Sequence, residues 1–431
     1  MRFRISLLLI TMISGISCSS GGGDNNSDSG NINPADESIV PTGSLDVTFG
    51  AAGFLTEGGE GRQGGMVVKV DSAGKILIVG VRGEPLLTGG RFLLMAVWRY
   101  NADGTIDTSF NSQGYLTYNS RIGTGHTSEG YDIAIDNNGK ILLTGYDEPF
   151  GSTASMILAR FNEDGTFDTS FNTTGIVNRA NSSGGGVTID DNSRILVTGF
   201  ESNGAMMLIR YNSDGTIDNT FGTNGVTNSL QGIATQVAHY NGKIYVVGAT
   251  GSGTTLWRFN EDGSLDTSFA TNGMVFYTEG TSRPFIEYKS SYLAIDQNGK
   301  IVVSAQTGTP EAMDRALLRY NTDGTLDTTF GDAGIISYDS SLNDYGGGVT
   351  IDANNNVIVT YSTNSTSGTI GDMIIRRYTS AGQLDMTFGV NGEVTYDSGG
   401  VDGGKGVTVD NNGRILITGK IGSDMALWRY E

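Results

Sequence analysis

The chain has 431 residues, a formal net charge of −19, 65 glycines against six prolines, two histidines and a single cysteine. The charge argues against a nucleic-acid partner, which calls for a basic face, and His126, His239 and Cys18 are too few for a His/Cys zinc set or an intrachain disulfide. Abundant Gly with scarce Pro points to many tight turns between short strands rather than to disorder.

In chain order, the first segment is MRFRISLLLITMISGISC. Arg2 and Arg4 precede an apolar run from Ile5 to Ile16 that is too short to span a bilayer, so residues 1–17 are expected to be a signal peptide. The sole cysteine, Cys18, sits where cleavage would occur, and residues 18–43 form a polar Ser/Gly/Asn/Asp tether. This arrangement resembles a bacterial lipoprotein signal: Ser17 fits it, while Gly15 stands where the pattern prefers Leu. The resemblance implies lipidation at Cys18, export, and residence on the bacterial outer membrane or cell surface, with membrane contact through the lipid anchor only. An ordinary secreted protein is the alternative.

From residue 44 onward one unit recurs. Its hairpin is an apolar alternation, a turn and an apolar run, as in VVKVDSAGKILIVG (67–80), IAIDNNGKILLTG (133–145) and VTIDDNSRILVTG (187–199), with further copies at 237–248, 293–305, 349–361 and 407–419. Period-two alternation of Val, Ile and Leu marks strands, and the Gly-containing turns mark tight hairpins. These are strands A and B. Strand C leads into the tract R-[YF]-N-x-D-G-x-[IFL]-D-x-[ST]-F, which starts at Arg99, Arg160, Arg210, Arg258 and Arg319, and more loosely at Arg377. Each tract ends in a Phe followed four residues later by Gly, which opens a short strand D, as in GYLTY at 114–118.

The Phe positions 49, 110, 171, 221, 269, 330 and 388 are spaced by 48 to 61 residues. Four strands at that period indicate an all-β, seven-bladed β-propeller of four-stranded antiparallel blades over residues 44–431. The seventh unit ends at strand C, Met425 to Tyr430, while Leu45–Phe49 with Gly53 is a headless copy. The strand near 53–56 is therefore expected to pair with 425–430 and close the ring, which would leave fewer open edges. The repeated G-x-I-D-x-[ST]-F-G-x-x-G and I-D-x-x-G-K-I-L-[IV]-x-G resemble the bacterial delta-60 repeat family. The resemblance implies a propeller and frequent export, and it names no reaction. Two units depart from it, at Thr379-Ser380-Ala381-Gly382 and at Tyr240, and are expected to pack less regularly.

Arg99, Arg160, Arg210, Arg258, Arg319, Arg377 and Arg429 recur with Asp107, Asp168, Asp218, Asp266, Asp327, Asp385 and Asp46. Fixed spacing suggests one ion pair repeated in every unit, within a blade or to its neighbour, with the Phe between blades. A ring of Arg for an anion is the functional alternative. The N-x-D-G-x-x-D segment is read as a side-chain-stabilised β-turn, the other reading being a calcium loop. No catalytic residue, metal site or cofactor motif is assigned, and both histidines are read as loop or strand residues without a catalytic role.

The C–D connection keeps its length, whereas B–C (Val81–Phe92 against Ser202–Ala205) and D–A (Phe276–Ser291 against Thr227–Ile233) vary widely. Binding residues favour unlike loops on a rigid frame. The candidates on that face are Arg121, His126, Glu129, Arg283, Phe285, Tyr288, Asp344 and Tyr345. The expected function is an envelope-anchored, monomeric binding or scaffold protein that recognises protein or glycan without catalysis. The alternative is a propeller hydrolase or lyase acting on extracellular polysaccharide, which would need convergent carboxylates or a Tyr/Arg/Glu cluster in a deep pocket.

Overall fold

The computed structural model describes residues 43–59, 61–85, 91–118, 127–149, 151–227, 230–251, 253–278, 291–309, 312–338, 344–345, 347–364 and 370–431. The expected signal peptide, Cys18 and the tether up to Thr42 lie outside them. Among the described residues there are strands and turns and no helix.

Four-stranded antiparallel sheets repeat along the chain. A representative one runs Ser182–Ile189, Ile195–Glu201, Met206–Tyr211 and Val226–Thr227, in that spatial order. Two such sets, beginning at Gln63 and Thr127, are joined by a single parallel bridge between Leu93 and Thr127. In another, strand A is split into Asp344–Tyr345 and Val349–Ile351. Strands B and C are buried on both faces, as in Ile195–Glu201, which explains their continuous apolar runs. The strand D of Tyr115–Tyr118 has an exposed position and marks the rim.

The A–B turns follow from local chemistry. Asp71 accepts hydrogen bonds from the amides of Ala73 (2.9 Å) and Lys75 (2.8 Å), leaving the intervening Gly74 at φ 78°. Where Tyr240 replaces the Asp, Asn241 and Gly242 take φ 49° and 71° in a two-residue turn between Tyr240 and Lys243. That departure changes the turn type and keeps the ladder. The Thr379 unit likewise keeps the backbone of its relatives, with Gly382 N donating to Thr379 O at 2.7 Å and Thr379 N to Gln383 O at 2.8 Å. Both turns thus keep their hydrogen bonds, whereas the sheet of the Thr379 unit is less regular elsewhere: it is the one with the split first strand, and its register shifts between Ser362 and Asn364.

The hydrophobic core lies between sheets. Phe110 is fully buried among Val79, Val97, Ile133, Leu143 and Ile157, which come from two successive sheets. Phe171, Phe221, Phe269, Phe330, Phe388 and Phe49 occupy equivalent clusters. Innermost strands also meet directly. A Cβ on Gly186 would lie 2.8 Å from Gln236 Cα, so the close approach requires glycine there. Asp132 Oδ2 accepts from Val187 N at 3.0 Å, and Gln236 Oε1 accepts from Leu293 N at 2.7 Å.

The two ends of the described chain share one sheet, ordered Phe54–Glu57, Asp424–Tyr430, Ile415–Ile421 and Asp402–Val409. Phe54 pairs with Trp428, and Glu57 with Met425. The split tract is rebuilt without a covalent link. Glu431 N donates to Ser44 O at 2.9 Å and Asp46 N to Arg429 O at 2.9 Å, as Asn101 N donates to Thr105 O at 2.8 Å and Asp107 N to Arg99 O at 3.0 Å within one tract. A chain beginning at Gly58 should therefore melt at lower temperature and expose Trp428 to acrylamide quenching. A synthetic 43–57 peptide should reverse both effects; a melting curve unchanged by the truncation would refute the assignment.

Candidate functional site

Strand C and the turn after it place an Arg and an Asp of the same tract side by side. Arg Nε lies 2.7–2.9 Å from Asp Oδ2 in the pairs Arg99–Asp107, Arg160–Asp168, Arg210–Asp218, Arg258–Asp266, Arg319–Asp327 and Arg377–Asp385. Arg429 holds Asp46 from the far end of the chain, with Nη2 at 2.7 Å. Each guanidinium also stands over the Phe of its tract, 4.3–4.8 Å from the ring centroid. Nη1 reaches into the next unit: Arg99, Arg160, Arg210, Arg258 and Arg319 donate to the carbonyls of Glu163, Ser213, Glu261, Thr322 and Ser380. Arg429 donates to Ala102 O. These arginines are buried and committed to neighbours within the protein.

The conserved spacing of the other tract residues has the same origin. Asp107 Oδ1 accepts from Ser109 Oγ at 2.6 Å, and Ser170, Thr220, Ser268, Thr329, Thr387 and Thr48 repeat the contact. The D-G turn closes on itself, with Asp103 Oδ1 accepting from Thr105 N at 2.9 Å and from Thr105 Oγ1 at 2.7 Å. Asp103 and Asp107 thus take different partners, an arrangement accounted for by a turn. The Gly of that turn presses on the preceding unit: a Cβ on Gly104 would lie 2.9 Å from the Phe49 ring.

A second cation, not assigned from sequence, joins most of these carboxylates. Lys75, Lys140, Lys243 and Lys300 lie 2.8–3.2 Å from Asp107, Asp168, Asp266 and Asp327. Arg414 lies 3.5 Å from Asp46. The Lys residues also donate to the tract Asn, as Lys75 does to Asn101 at 2.7 Å. The fixed Lys at the end of the A–B turn was the available signal. In the Thr379 unit both members change together: Asn356 replaces the Lys and Thr379 the Asn. Burial raises the Asp168 carboxyl, but hydrogen bonds from Ser170 and Lys140 and the charge of Arg160 outweigh it and hold the pKa at about 2. The same opposition, with Ser109, Lys75 and Arg99, holds Asp107 well below the usual carboxylate range.

Of the candidates on the variable face, Arg121, His126, Arg283, Phe285 and Tyr288 lie outside the described residues. Glu129 accepts from Tyr131 Oη at 3.1 Å. Asp344 is buried, and Tyr345, beside it, pairs with Ser362. His239 Nε2 lies 3.0 Å from Glu261 Oε1, which ties it to the lattice between units. A central cavity of about 520 Å³ is lined by innermost strands, including Val67–Val70, Ile133–Ile135, Gln236–Tyr240 and Val407–Thr408. It occupies the half of those strands that runs towards the A–B turns, away from the variable loops. Elsewhere Asp372, Asp397 and Asp402 bring one carboxylate oxygen each within 4.8 Å of the others. Burial, then the charges of Asp397 and Asp402, raise the Asp372 pKa. Asp402 is engaged by Ser398 N at 2.6 Å and Ser398 Oγ at 2.8 Å.

Replacing Arg210 by Ala strands a buried Asp218 and is expected to cost about 3–5 kcal/mol in urea unfolding. Arg210→Lys, which keeps charge without the fork, should cost less; an unchanged midpoint for the Ala variant would contradict the role. The Asp pKa values are depressed in the folded state, so their stabilisation is present above the unfolded value of about 4 and lost as pH falls through the folded values. Thermal midpoints should fall as pH drops from about 4 towards 2, with Asp168 protonating near 2.

One family model matches along the repeats. Residues 86–110, 137–171, 192–221, 241–269 and 297–330 match the family described as "Domain of unknown function (DUF5122) beta-propeller". No curated protein matches the chain. Among solved structures, it is similar to a protein of unknown function from Dyadobacter fermentans at 11% identity, covering 88% of this chain and 98% of that one with a TM-score of 0.47. It is also similar to an ulvan lyase, a polysaccharide lyase, at 9% identity, 86% and 93% coverage and a TM-score of 0.44. A third is the β-propeller domain of the trilobed protease from Pyrococcus furiosus, at 9% identity, 85% and 93% coverage and a TM-score of 0.41. With four-stranded sheets repeating behind one tract and the family match falling on those repeats, the chain is a β-propeller repeat protein.

Proposed function

We propose that this protein is a seven-bladed propeller, closed by its N-terminal strand on its C-terminal strands and held at the bacterial surface through Cys18, and that it binds a protein or glycan through its unlike B–C and D–A loops without catalysis. The observation carrying this reading is the contrast between the two ends of the sheets. At the tract end, Arg, Asp, Lys and Phe are consumed by contacts that repeat from unit to unit. At the other end the connections differ in length and composition, as binding loops on a rigid frame do. Seven equivalent Phe clusters and the Arg429 contacts to Asp46 and Ala102 support the blade count and closure. The trio Asp372, Asp397 and Asp402 is the observation favouring a hydrolase or lyase.

The test is a glycan array and a pull-down with the chain from Ser19 onward, followed by incubation of each bound glycan with the protein. Saturable binding that is lost when residues 277–292 are shortened to the length of 227–233, with the glycan recovered intact, is expected. New chain ends in the recovered glycan would favour the enzyme and overturn the non-catalytic reading.

A further inference from the structure

We propose that the central cavity binds a small polyhydroxylated acid, of the size and chemistry of a sugar acid, with Lys69 holding its carboxylate. This goes beyond the loop-binding reading, because the cavity lies towards the opposite end of the strands. Each strand A contributes to the wall, and the volume of about 520 Å³ falls in the range of small-molecule pockets, roughly 300–1,000 Å³. The wall is made of strand edges. At the A–B turn Asp190 N donates to Arg194 O at 2.9 Å, and the antiparallel ladder repeats every second residue, so Thr188 is also bonded to strand B. Val187 and Ile189 therefore turn their amides and carbonyls away from strand B, towards the centre. Val187 N accordingly donates to Asp132 Oδ2 of the preceding strand A, and Leu293 N to Gln236 Oε1. The bonds from Asp71 N to Lys75 O at 3.0 Å and from Asp296 N to Lys300 O at 2.9 Å set the same phase in two other sheets. Val68, Val70, Leu293 and Ile295 thus also present main-chain donors and acceptors inward.

Between these edge positions stands one side chain per strand: Ala134, Thr188, Ala238, Ala294, Thr350 and Thr408, and in the first sheet Lys69. The small residues leave the bore open beside the one long side chain. Lys69 lines the cavity and is exposed, although Val68 next to it is buried. Among the described residues its ammonium has no carboxylate partner, whereas Lys75, Lys140, Lys243 and Lys300 each have one. Other polar side chains of the wall are committed. Asp132 Oδ1 and Oδ2 accept from Ile133 N and Val187 N, both at 3.0 Å. His239 Nε2 lies 3.0 Å from Glu261 Oε1, and Tyr240 Oη donates to Gln297 O at 3.3 Å. Towards the mouth, turn aspartates face their own amides: Asp296 Oδ1 accepts from Asn298 N and Lys300 N, both at 2.8 Å. The groups left for a ligand are one ammonium, the hydroxyls of Thr188, Thr350 and Thr408, and main-chain edges. A ligand hydroxyl both donates and accepts, which matches edges that carry both kinds of group. A single carboxylate matches the single ammonium.

Calorimetric titration of the chain from Ser19 onward with galacturonate, gluconate, glucose and inorganic phosphate tests the site. One of the two sugar acids should bind one-to-one, with glucose about tenfold or more weaker. Lys69→Met should lose about tenfold or more in affinity for that acid, and Thr350→Val about two- to tenfold. Both variants should keep the melting temperature, since neither side chain is bonded within the protein; a marked fall in Lys69→Met would show a structural role and overturn the site. Ala294→Phe, which fills the bore, should abolish binding; where it fails to fold, Lys69→Met and Thr350→Val decide. Arg62→Gln removes an equal charge at the other end of the strands and should leave the affinity unchanged. Equal losses in Arg62→Gln and Lys69→Met would overturn the site as non-specific charge attraction. Absence of binding by both acids, or glucose binding as tightly as they do, would overturn it as well, and phosphate binding more tightly than either acid would overturn the sugar-acid class. With residues 277–292 shortened, the acid should still bind while the loop ligand is lost; loss of both would overturn the central placement. Failure of the loop-binding test leaves this site standing.

Discussion

A buried guanidinium has five donors to satisfy, and Arg99, Arg160, Arg210, Arg258, Arg319 and Arg429 meet that demand by joining two units. Nε and the positive charge go to an Asp of the same tract, the planar face lies on the Phe of the same tract, and Nη1 leaves for the carbonyl of the next D-G turn. Buried ion pairs often contribute little net stability because desolvation offsets the attraction. Here the offset is reduced by the number of partners: Arg fork, Lys ammonium and a Ser or Thr hydroxyl converge on one carboxylate. The geometry also explains why Arg is used, since an ammonium could not hold three directions and a ring at once. What the arrangement supplies is orientation. A sheet that slid relative to its neighbour would break the Nη1 contact and the Gly–Phe contact together.

The same constraint accounts for the way the termini meet. The tract is divided inside the turn, with Glu431 on one side and Gly43 on the other, where the intact tract has Asn101 to Gly104. Every bond of the motif that holds position survives that cut: Arg429 still reaches Asp46 across the break and Phe49 beneath it, and still donates to Ala102 O. Placing the break in a turn preserves the strand ladder, with Phe54–Glu57 seated on Met425–Trp428. The splice is non-covalent: main-chain bonds and Arg429 join Ser44, Asp46 and Phe54–Glu57 to Asp424–Tyr430 and Glu431.

The parts legible in the sequence are those where geometry leaves one residue type. A turn glycine at positive φ that also touches the neighbour's Phe ring tolerates nothing else, so Gly104 and its equivalents recur and announce the unit. The Lys contribution was harder to read. Lys75 and Asp107 meet only because the register sets Leu77 opposite Arg99, and that pairing across strands is not written in local spacing. The bulges were hidden for a related reason: a Gly pair before an apolar strand signals freedom, whereas its use here is the close approach of one innermost strand to the next. The variable connections share no repeated sequence, so comparison between units carries no information about them.

The bulge at Lys405 shows the limit of reading by repeats. Gly406 and Met66 are far apart in the chain and meet only when the sheet ending at Tyr430 packs against the one beginning at Gln63. Equivalent positions elsewhere carry other residues: where the bulge of this strand holds Lys405, the related strands hold Met66, Tyr131, Gly185 and Thr235. A position that varies between units can still join them: Thr235 donates through Oγ1 to Ser291 O at the start of the next sheet, at 2.8 Å.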